Sequence, residues 1–440
     1  MFRTLRNIWQ NEFFRNVATL ISGTTFAQAF SIIIYLVLSR IYTEDDFGVF
    51  GLYMNILNIT IIFSTAKYEL SILLPKSEKD SVNLLGLSGL ISIGVSLFLL
   101  LPVIFLNDQI CRWLGSEKIS HWLYFIPLST LLVGLFQSLR NFSNREKRYR
   151  LIAGANIAQS LGNSLMKLGL GLVIVGATGL IFGVVFGQLA GFLVFFVVHI
   201  KAHRGKVGWL KLPEMKRLGT QYNMFPRFNM WQGLINNFSG ALPVFVFSSF
   251  FSTAIAGFYT FGYMVLYRPV NLVANAFYQV MFQRFVEKQH KETSILPEVL
   301  LFIRRTIQIL IIPFAVVGIF APEIFDFLFS EKWIEAGRYA QIMLPWIFMV
   351  SLAMPLSFIP DLYRKQRVAM TIDGIRLGLR LAALAAGVVL HSSYTALALY
   401  SGVSALMILY SLLWYIRLVK KNVPGSGNQT SITDYYGENN

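Results

Sequence analysis

The sequence predicts an all-α membrane protein of about twelve transmembrane helices, arranged as two six-helix bundles joined by short loops, and three observations carry that prediction. Of the 440 residues, 55% are hydrophobic and only 14% charged, where a soluble domain carries about a quarter. Apolar runs of about twenty residues recur along the chain, the length a helix needs to cross roughly 30 Å of hydrocarbon. Lysine and arginine fall mainly into alternate connections between those runs. A soluble enzyme, a disordered chain and a disulfide scaffold are excluded. The alternating ten-residue strands of a membrane barrel are absent from the pattern.

The runs place spans at about 17–38, 46–74, 82–106, 119–139, 151–174, 178–200, 228–249, 253–283, 299–320, 339–360, 366–390 and 394–416. Residues 1–16 are basic, with Trp9, Phe13 and Phe14 interleaved, and read as a segment lying on the membrane surface. No small-residue cleavage site follows, so the first span is expected to be retained. Spans one to six form an N-terminal bundle (17–200) and spans seven to twelve a C-terminal bundle (228–418), joined by a cytoplasmic connection (201–227). Residues 419–440 are rich in Gly, Ser and Asn and read as a disordered cytoplasmic tail.

Of the 38 lysines and arginines, 29 fall on one side of this arrangement and five on the other: Arg40, Arg112, Lys118, Lys332 and Arg338. The bias predicts that both termini are cytoplasmic. The net charge of +16 is thus a topology signal before it is anything else. Anionic membrane lipid is a second partner for it, and nucleic acid is not a partner. A single cysteine, Cys111, and five scattered histidines offer no disulfide and no metal site. No phosphate-binding glycine loop or dinucleotide fingerprint appears, so no cofactor is expected.

The two halves echo one another at offsets of 209 to 219 residues. Ser22-Gly23 recurs as Ser239-Gly240, and Phe47-Gly48-Val49-Phe50 as Ala256-Gly257-Phe258-Tyr259. Arg145-Glu146-Lys147-Arg148 recurs as Arg364-Lys365-Gln366-Arg367. A duplication of six spans keeps both halves in one orientation and predicts a pseudo-twofold along the membrane normal, as in transporters.

Charges inside the spans need a reason, because each costs at least about 2.5–3.5 kcal/mol at the bilayer centre. Arg268 sits mid-span before Pro269. Asp373, Arg376 and Arg380 share one helical face, as do Asn156, Gln159, Ser160, Asn163, Ser164 and Lys167. Lys67 and Glu69 lie toward the cytoplasmic end of the second span. The cations therefore occupy spans 2, 5, 8 and 11, two repeat-equivalent pairs. Lys67, Lys167, Arg268, Arg376 and Arg380 are the candidate lining of a cationic cavity suited to an anionic group. Thr24, Gln28, Asn163, Asn236 and Asn237 are its candidate polar lining, able to form hydrogen bonds. Glu69 and Asp373 are candidates for proton or sodium coupling.

A structural alternative stands beside each. Lys167 can snorkel outward, Asp373 with Arg376 can be an i,i+3 pair, and Lys67 can be an interfacial lysine. Arg268 can bond carbonyls freed at Pro269. Glu44-Asp45-Asp46 after Thr43 reads as a helix cap rather than a catalytic acid cluster. Gly183, Gly187 and Gly191 recur every four residues and predict close helix contact.

Several stretches resemble one family. Leu38 to Phe50 (LSRIYTEDDFGVF), Lys67 to Lys76 (KYELSILLPK) and Leu328 to Trp346 (LFSEKWIEAGRYAQIMLPW) are similar to polysaccharide (O-antigen) flippases of the multidrug/oligosaccharidyl-lipid/polysaccharide exporter superfamily. The resemblance runs from about residue 15 to 418. It implies two six-helix bundles around a central cavity, and no enzymatic activity. It also implies transfer of an undecaprenyl-pyrophosphate-linked oligosaccharide (an O-antigen, capsule or exopolysaccharide unit) from the cytoplasmic to the periplasmic leaflet. Polysaccharide polymerase and chain-length proteins are candidate partners. Two alternatives remain: a membrane polymerase or glycosyltransferase, which wants a larger external loop than 321–338, and a drug/cation antiporter, which wants buried acids. Four cations against one acid within the spans weigh against the antiporter.

Overall fold

A computed structural model describes residues 34–290, 294–363 and 365–421. The expected surface segment 1–16, most of the first span with Thr24 and Gln28, and nearly all of the tail lie outside the described residues. Within them every regular element is helical.

The long helices are numbered here by span: α1 (34–41), α2 (Glu44–Phe63), α3 (Glu78–Phe105), α4 (Ile126–Arg145), α5 (Tyr149–Val173) and α6 (Thr178–His203). Then follow α7 (Met230–Phe250), α8 (Thr253–His290), α9 (Leu296–Phe329), α10 (Ile334–Ala353), α11 (Gln366–Val389) and α12 (Ser393–Lys421). Spans two to twelve of the sequence reading each meet one of these helices. Among the described residues seven helical segments are long and apolar enough to cross a membrane, and an eighth meets the same test if Glu117–Leu123 and α4, bent by 49°, are one span. The remaining long helices, α5, α8 and α11, are the ones that carry Lys167, Arg268 and the Asp373–Arg380 cluster. The chain has an all-α membrane fold.

The second span differs in one respect from the run read at 46–74. The helix α2 opens on a reciprocal cap, Thr43 Oγ1 accepting from the Asp46 N–H and the Asp46 carboxylate accepting from the Thr43 N–H. It stops at Phe63, because Ala66 and Lys67 take left-handed backbone angles (φ 49° and 64°) that no helix can continue through. A four-residue helix, Tyr68–Ser71, then follows.

The chain divides into two compact units. The first comprises the described residues up to Val265 together with Pro322–Tyr339. Its helices meet through small and hydroxyl-bearing residues, as expected where lipid removes the hydrophobic drive for association. Along α6, the space a Cβ would need at Gly187 is filled by the Gln159 carbonyl oxygen at 2.7 Å, and at Gly183 by the Asn163 carbonyl oxygen at 2.7 Å, both on α5. Ser96 on α3 donates to the Pro127 carbonyl on α4 (2.8 Å), and Thr60 on α2 bonds Thr130 on α4 (2.8 Å).

The closest approach in this unit joins α2 to the start of α8. A side chain at Gly48 would overlap the Thr253 carbonyl, one at Gly257 the Glu44 carbonyl, and one at Gly51 the Thr260 hydroxyl. Phe47, Phe261 and Trp333 close over the crossing with ring centroids 4.0–5.2 Å apart. Trp333 Nε1 donates to the Ser39 carbonyl (2.8 Å) and Lys332 Nζ to the Tyr42 carbonyl (2.8 Å).

The connection after α6 is also ordered against this unit. Its helix Leu212–Gln221 buries Met215 and Leu218, and Leu218 joins the cluster of Ile72, Val82, Leu84 and Phe142. Buried Asn83 on α3 donates to the Trp209 carbonyl (3.0 Å) and accepts from the Lys211 N–H (2.9 Å). Further along, the Gly219 carbonyl accepts from Tyr68 Oη (2.8 Å).

The second unit comprises residues 266–321 and 340 onward. Here α11 and α12 pack at Gly387, whose missing side chain leaves room for the Ala396 backbone. The helix α9 loses regular geometry at Phe320 (φ −110°, ψ 16°), and Gln341 Nε2 donates to the Gly318 carbonyl (2.9 Å) just before that break. In a bilayer such a carbonyl must find a donor within the protein.

The glycine crossing yields a stability prediction. Gly257→Leu should cost about 3 kcal/mol or more through overpacking, lowering the thermal midpoint of the detergent-solubilised protein by several degrees. Gly169→Leu on α5, where nothing lies within 4 Å of the added carbon, should leave it unchanged.

Candidate functional site

The candidate cations of the first unit sit near opposite ends of α2. Lys167 on α5 is 4% exposed, with its Nζ 4.6 Å above the Phe50 ring and 5.9 Å from that of Tyr35. Its backbone carbonyl accepts from the Tyr42 hydroxyl (2.6 Å), so this stretch of α5 is held against the start of α2. Aromatic faces therefore cover the ammonium, an arrangement worth about 2 kcal/mol when desolvated. Asn163, one turn earlier, is half-buried and packs its Cβ against Gly187.

Lys67 follows the far end of α2, whose last residue, Phe63, lies about 20 Å along the axis from Phe50 at 1.5 Å per residue. Its left-handed conformation turns the side chain toward α7, where Cε faces Gly233. The side chain is 24% exposed, and its Nζ is 3.9 Å from Glu69 Oε1. Glu69 is 3% exposed and accepts a hydrogen bond from Thr65 Oγ1. On α7, Asn236 and Asn237 are both exposed, and Asn237 Nδ2 donates to the Gly233 carbonyl (2.8 Å).

In the second unit, Asp373, Arg376 and Arg380 are brought together as their spacing predicts. Arg376 pairs with Asp373 (3.1 Å) and donates to Ser411 Oγ (3.2 Å). Arg380 is 6% exposed, donates from Nε to Ser404 Oγ (2.8 Å) and lies over the rings of Tyr400 and Trp346 at 4.8 and 5.5 Å. Its guanidinium is thus packed among α10 and α12. Arg268 is half-buried on α8, next to Pro269, which is accommodated inside the helix.

The sequence reading found the charges and missed what covers them. Phe50, Tyr35, Trp346 and Tyr400 are ordinary apolar-span residues by composition. Ser404 and Ser411 carried a usable signal, since their spacing of seven puts them on one face of α12.

Glu44 and Asp45 stand at the opening of α2, where Asp45 pairs with Lys118 (2.6 Å). On the connection, Arg217 hydrogen-bonds Glu214 (2.8 Å) and Asp80 (3.0 Å), and the bond to Glu214 is the main reason its pKa is raised. Among the described residues no group of three or more His, Cys, Asp or Glu side chains is arranged to hold a metal.

The chain matches the sequence model of the family described as "Polysaccharide biosynthesis protein" over residues 37–338. No curated protein matches it. Among solved structures it resembles the lipid II flippase MurJ in an inward closed conformation, with a TM-score of 0.64 at 14% identity over 92% of this chain and 90% of that one. It also resembles the MATE multidrug transporter DinF-BH in complex with R6G, with a TM-score of 0.62 at 13% identity over 92% and 96%. A transporter of the MOP superfamily from Pyrococcus furiosus, described as having a binding pocket of reverse polarity, gives a TM-score of 0.52 at 11% identity over 92% and 95%. At these identities the likeness is one of fold.

The Asp373–Arg376 pair can be tested by stability. Arg376→Gln leaves a carboxylate without its cation and should cost about 3–5 kcal/mol. Arg376→Gln with Asp373→Asn should recover most of that loss in the thermal midpoint. Additive losses in the double variant would show that the two groups are uncoupled.

Proposed function

The chain belongs to the family of polysaccharide biosynthesis proteins, and on that premise we propose that it is a flippase. Its cargo is an oligosaccharide linked to undecaprenyl pyrophosphate, carried from the cytoplasmic to the periplasmic leaflet of a bacterial inner membrane. The observation that carries this reading is the charge balance within the spans, four cations (Lys167, Arg268, Arg376 and Arg380) to one acid, Asp373. A pyrophosphate crossing a medium of low dielectric needs compensating positive charge, and basic residues kept inside a membrane at such cost are accounted for by an anionic cargo. The fold likeness to the lipid II flippase supports the same reading.

Of the five basic residues, Lys67, Arg268 and Arg376 retain partial exposure and are the direct candidates for phosphate contact. Lys167 and Arg380 act electrostatically from beneath their aromatic cover in this conformation. Asn236 and Asn237 offer amides to the glycan. Glu69 is the better coupling candidate of the two acids, because its cation stands off at 3.9 Å whereas Arg376 holds Asp373 at 3.1 Å. The tight crossing of α2 and α8, which joins the two sequence halves at the end read as periplasmic, fits alternating access in a state closed on that side. A polymerase and chain-length proteins would act on the delivered units.

Deletion of the gene should trap complete repeat units on undecaprenyl pyrophosphate in the cytoplasmic leaflet, read by mass spectrometry of lipid extracted after probing each membrane face. Arg268→Ala should reproduce that accumulation with the protein still in the membrane, whereas Glu44→Gln with Asp45→Asn should export normally. Single units that reach the periplasm unpolymerised would instead identify a polymerase.

A further inference from the structure

The corner where α2 ends has features that neither packing nor topology requires. Ala66 and Lys67 both hold positive φ without a glycine, and such strain persists only where the surroundings over-determine it, commonly at ligand sites. Buried Ser64 and Thr65 and the Thr65–Glu69 bond supply that determination. The short helix Tyr68–Ser71 that follows packs on a π-helical turn, Phe225–Asn229, which opens α7. Such turns also gather at functional sites.

Three chemistries converge there. Lys67 is a recessed cation whose described ion partner, Glu69, is 3.9 Å away, beyond hydrogen-bonding distance, so its N–H donors remain available. Around the π turn, Met224, Phe228 and Trp231 are exposed apolar side chains, with exposed Arg227 among them. Along α7, Gly233, Asn237 and Gly240 follow one helical face, Asn236 and Asn237 are exposed, and open space lies at Gly240. The cation and the polar track thus share one face of α7, and the apolar side chains flank its foot.

We infer that this corner is the cytoplasmic capture site for the lipid-linked cargo. Lys67 holds the pyrophosphate, the prenyl chain lies over Met224, Phe228 and Trp231, and the glycan starts along Asn236 and Asn237. The assignment rests on the flippase reading. It commits to cargo rather than an anionic phospholipid on two grounds. Lys67 is three-quarters covered, unlike exposed Lys211 and Lys216 on the connection, and a phospholipid has no use for the polar track.

The test uses the full chain in phosphatidylcholine nanodiscs with a diazirine-bearing polyprenyl pyrophosphate, and maps the photolabel by mass spectrometry. Labelling should fall on 224–231 and drop about tenfold in Lys67→Gln, the loss expected for one charge-assisted hydrogen bond. Gln carries the same backbone strain as Lys, and Lys67→Arg should restore labelling. Gly233→Leu, which crowds Lys67 without removing charge, should also lose it, whereas Gly233→Ala and Lys211→Gln should not. Undiminished labelling in Lys67→Gln, or competition by phosphatidylglycerol equal to that by unlabelled polyprenyl pyrophosphate, would overturn the assignment. Because labelling needs no transport, it is scored apart from the deletion phenotype. Cargo accumulation without labelling here rejects the site alone, and labelling without accumulation rejects the flippase reading while leaving a prenyl-pyrophosphate site.

Discussion

A charge placed among lipid-spanning helices has to be covered, and that constraint organises much of what surrounds the cations of this protein. Water is not available to solvate an ammonium or guanidinium at that depth, so the protein must substitute for it. The substitutes differ by unit. Lys167 has aromatic faces. Arg380 has two rings and a serine hydroxyl, and Arg376 a carboxylate and another serine. These demands account for the serines at 404 and 411 of α12, and for a tryptophan at 346 beside them.

The helices themselves are held by a different economy. Lipid chains solvate leucine as well as another helix does, so close packing and short polar contacts decide which helices touch. The first unit shows both. Glycines let α6 lie on the α5 backbone, and hydroxyls link α2, α3 and α4. Where α2 meets α8, backbone meets backbone and the aromatic cluster around Trp333 seals the rim. The large side chains work mainly at that rim, while the small ones determine how near the axes come.

Much of this was legible beforehand. The helical class, eleven of the spans, the Thr43–Asp46 cap, the α6 glycine stripe and the Asp373–Arg376 pair all follow from local pattern: period, length and spacing of three or four. What escaped depends on contacts far apart in sequence. Nothing local marks Phe50 as the cover of Lys167, 117 positions away. The break at Ala66–Lys67 was hidden for a related reason: no glycine or proline announces it, and the buried Thr65–Glu69 contact takes their place. The amide of Asn83 was likewise unreadable, since its partners are backbone groups more than 120 residues on.

That amide has a mechanical consequence. Its two bonds fasten the chain at Trp209 and Lys211 to α3, Tyr68 fastens it again at Gly219, and the Tyr68–Ser71 helix packs on the Phe225–Asn229 turn immediately before α7. A segment tied so close to the foot of a helix has little slack, so the foot acts as a pivot and not as a sliding end. With 21 residues, α7 is a lever about 30 Å long, and a tilt of about 10° at the pivot sweeps its far end through roughly 5 Å. The distal end, where Ser248 and Ser249 bond the carbonyls of Leu114 and Trp113, is where such a swing would be largest, and those two hydroxyl contacts are the catch it would have to release.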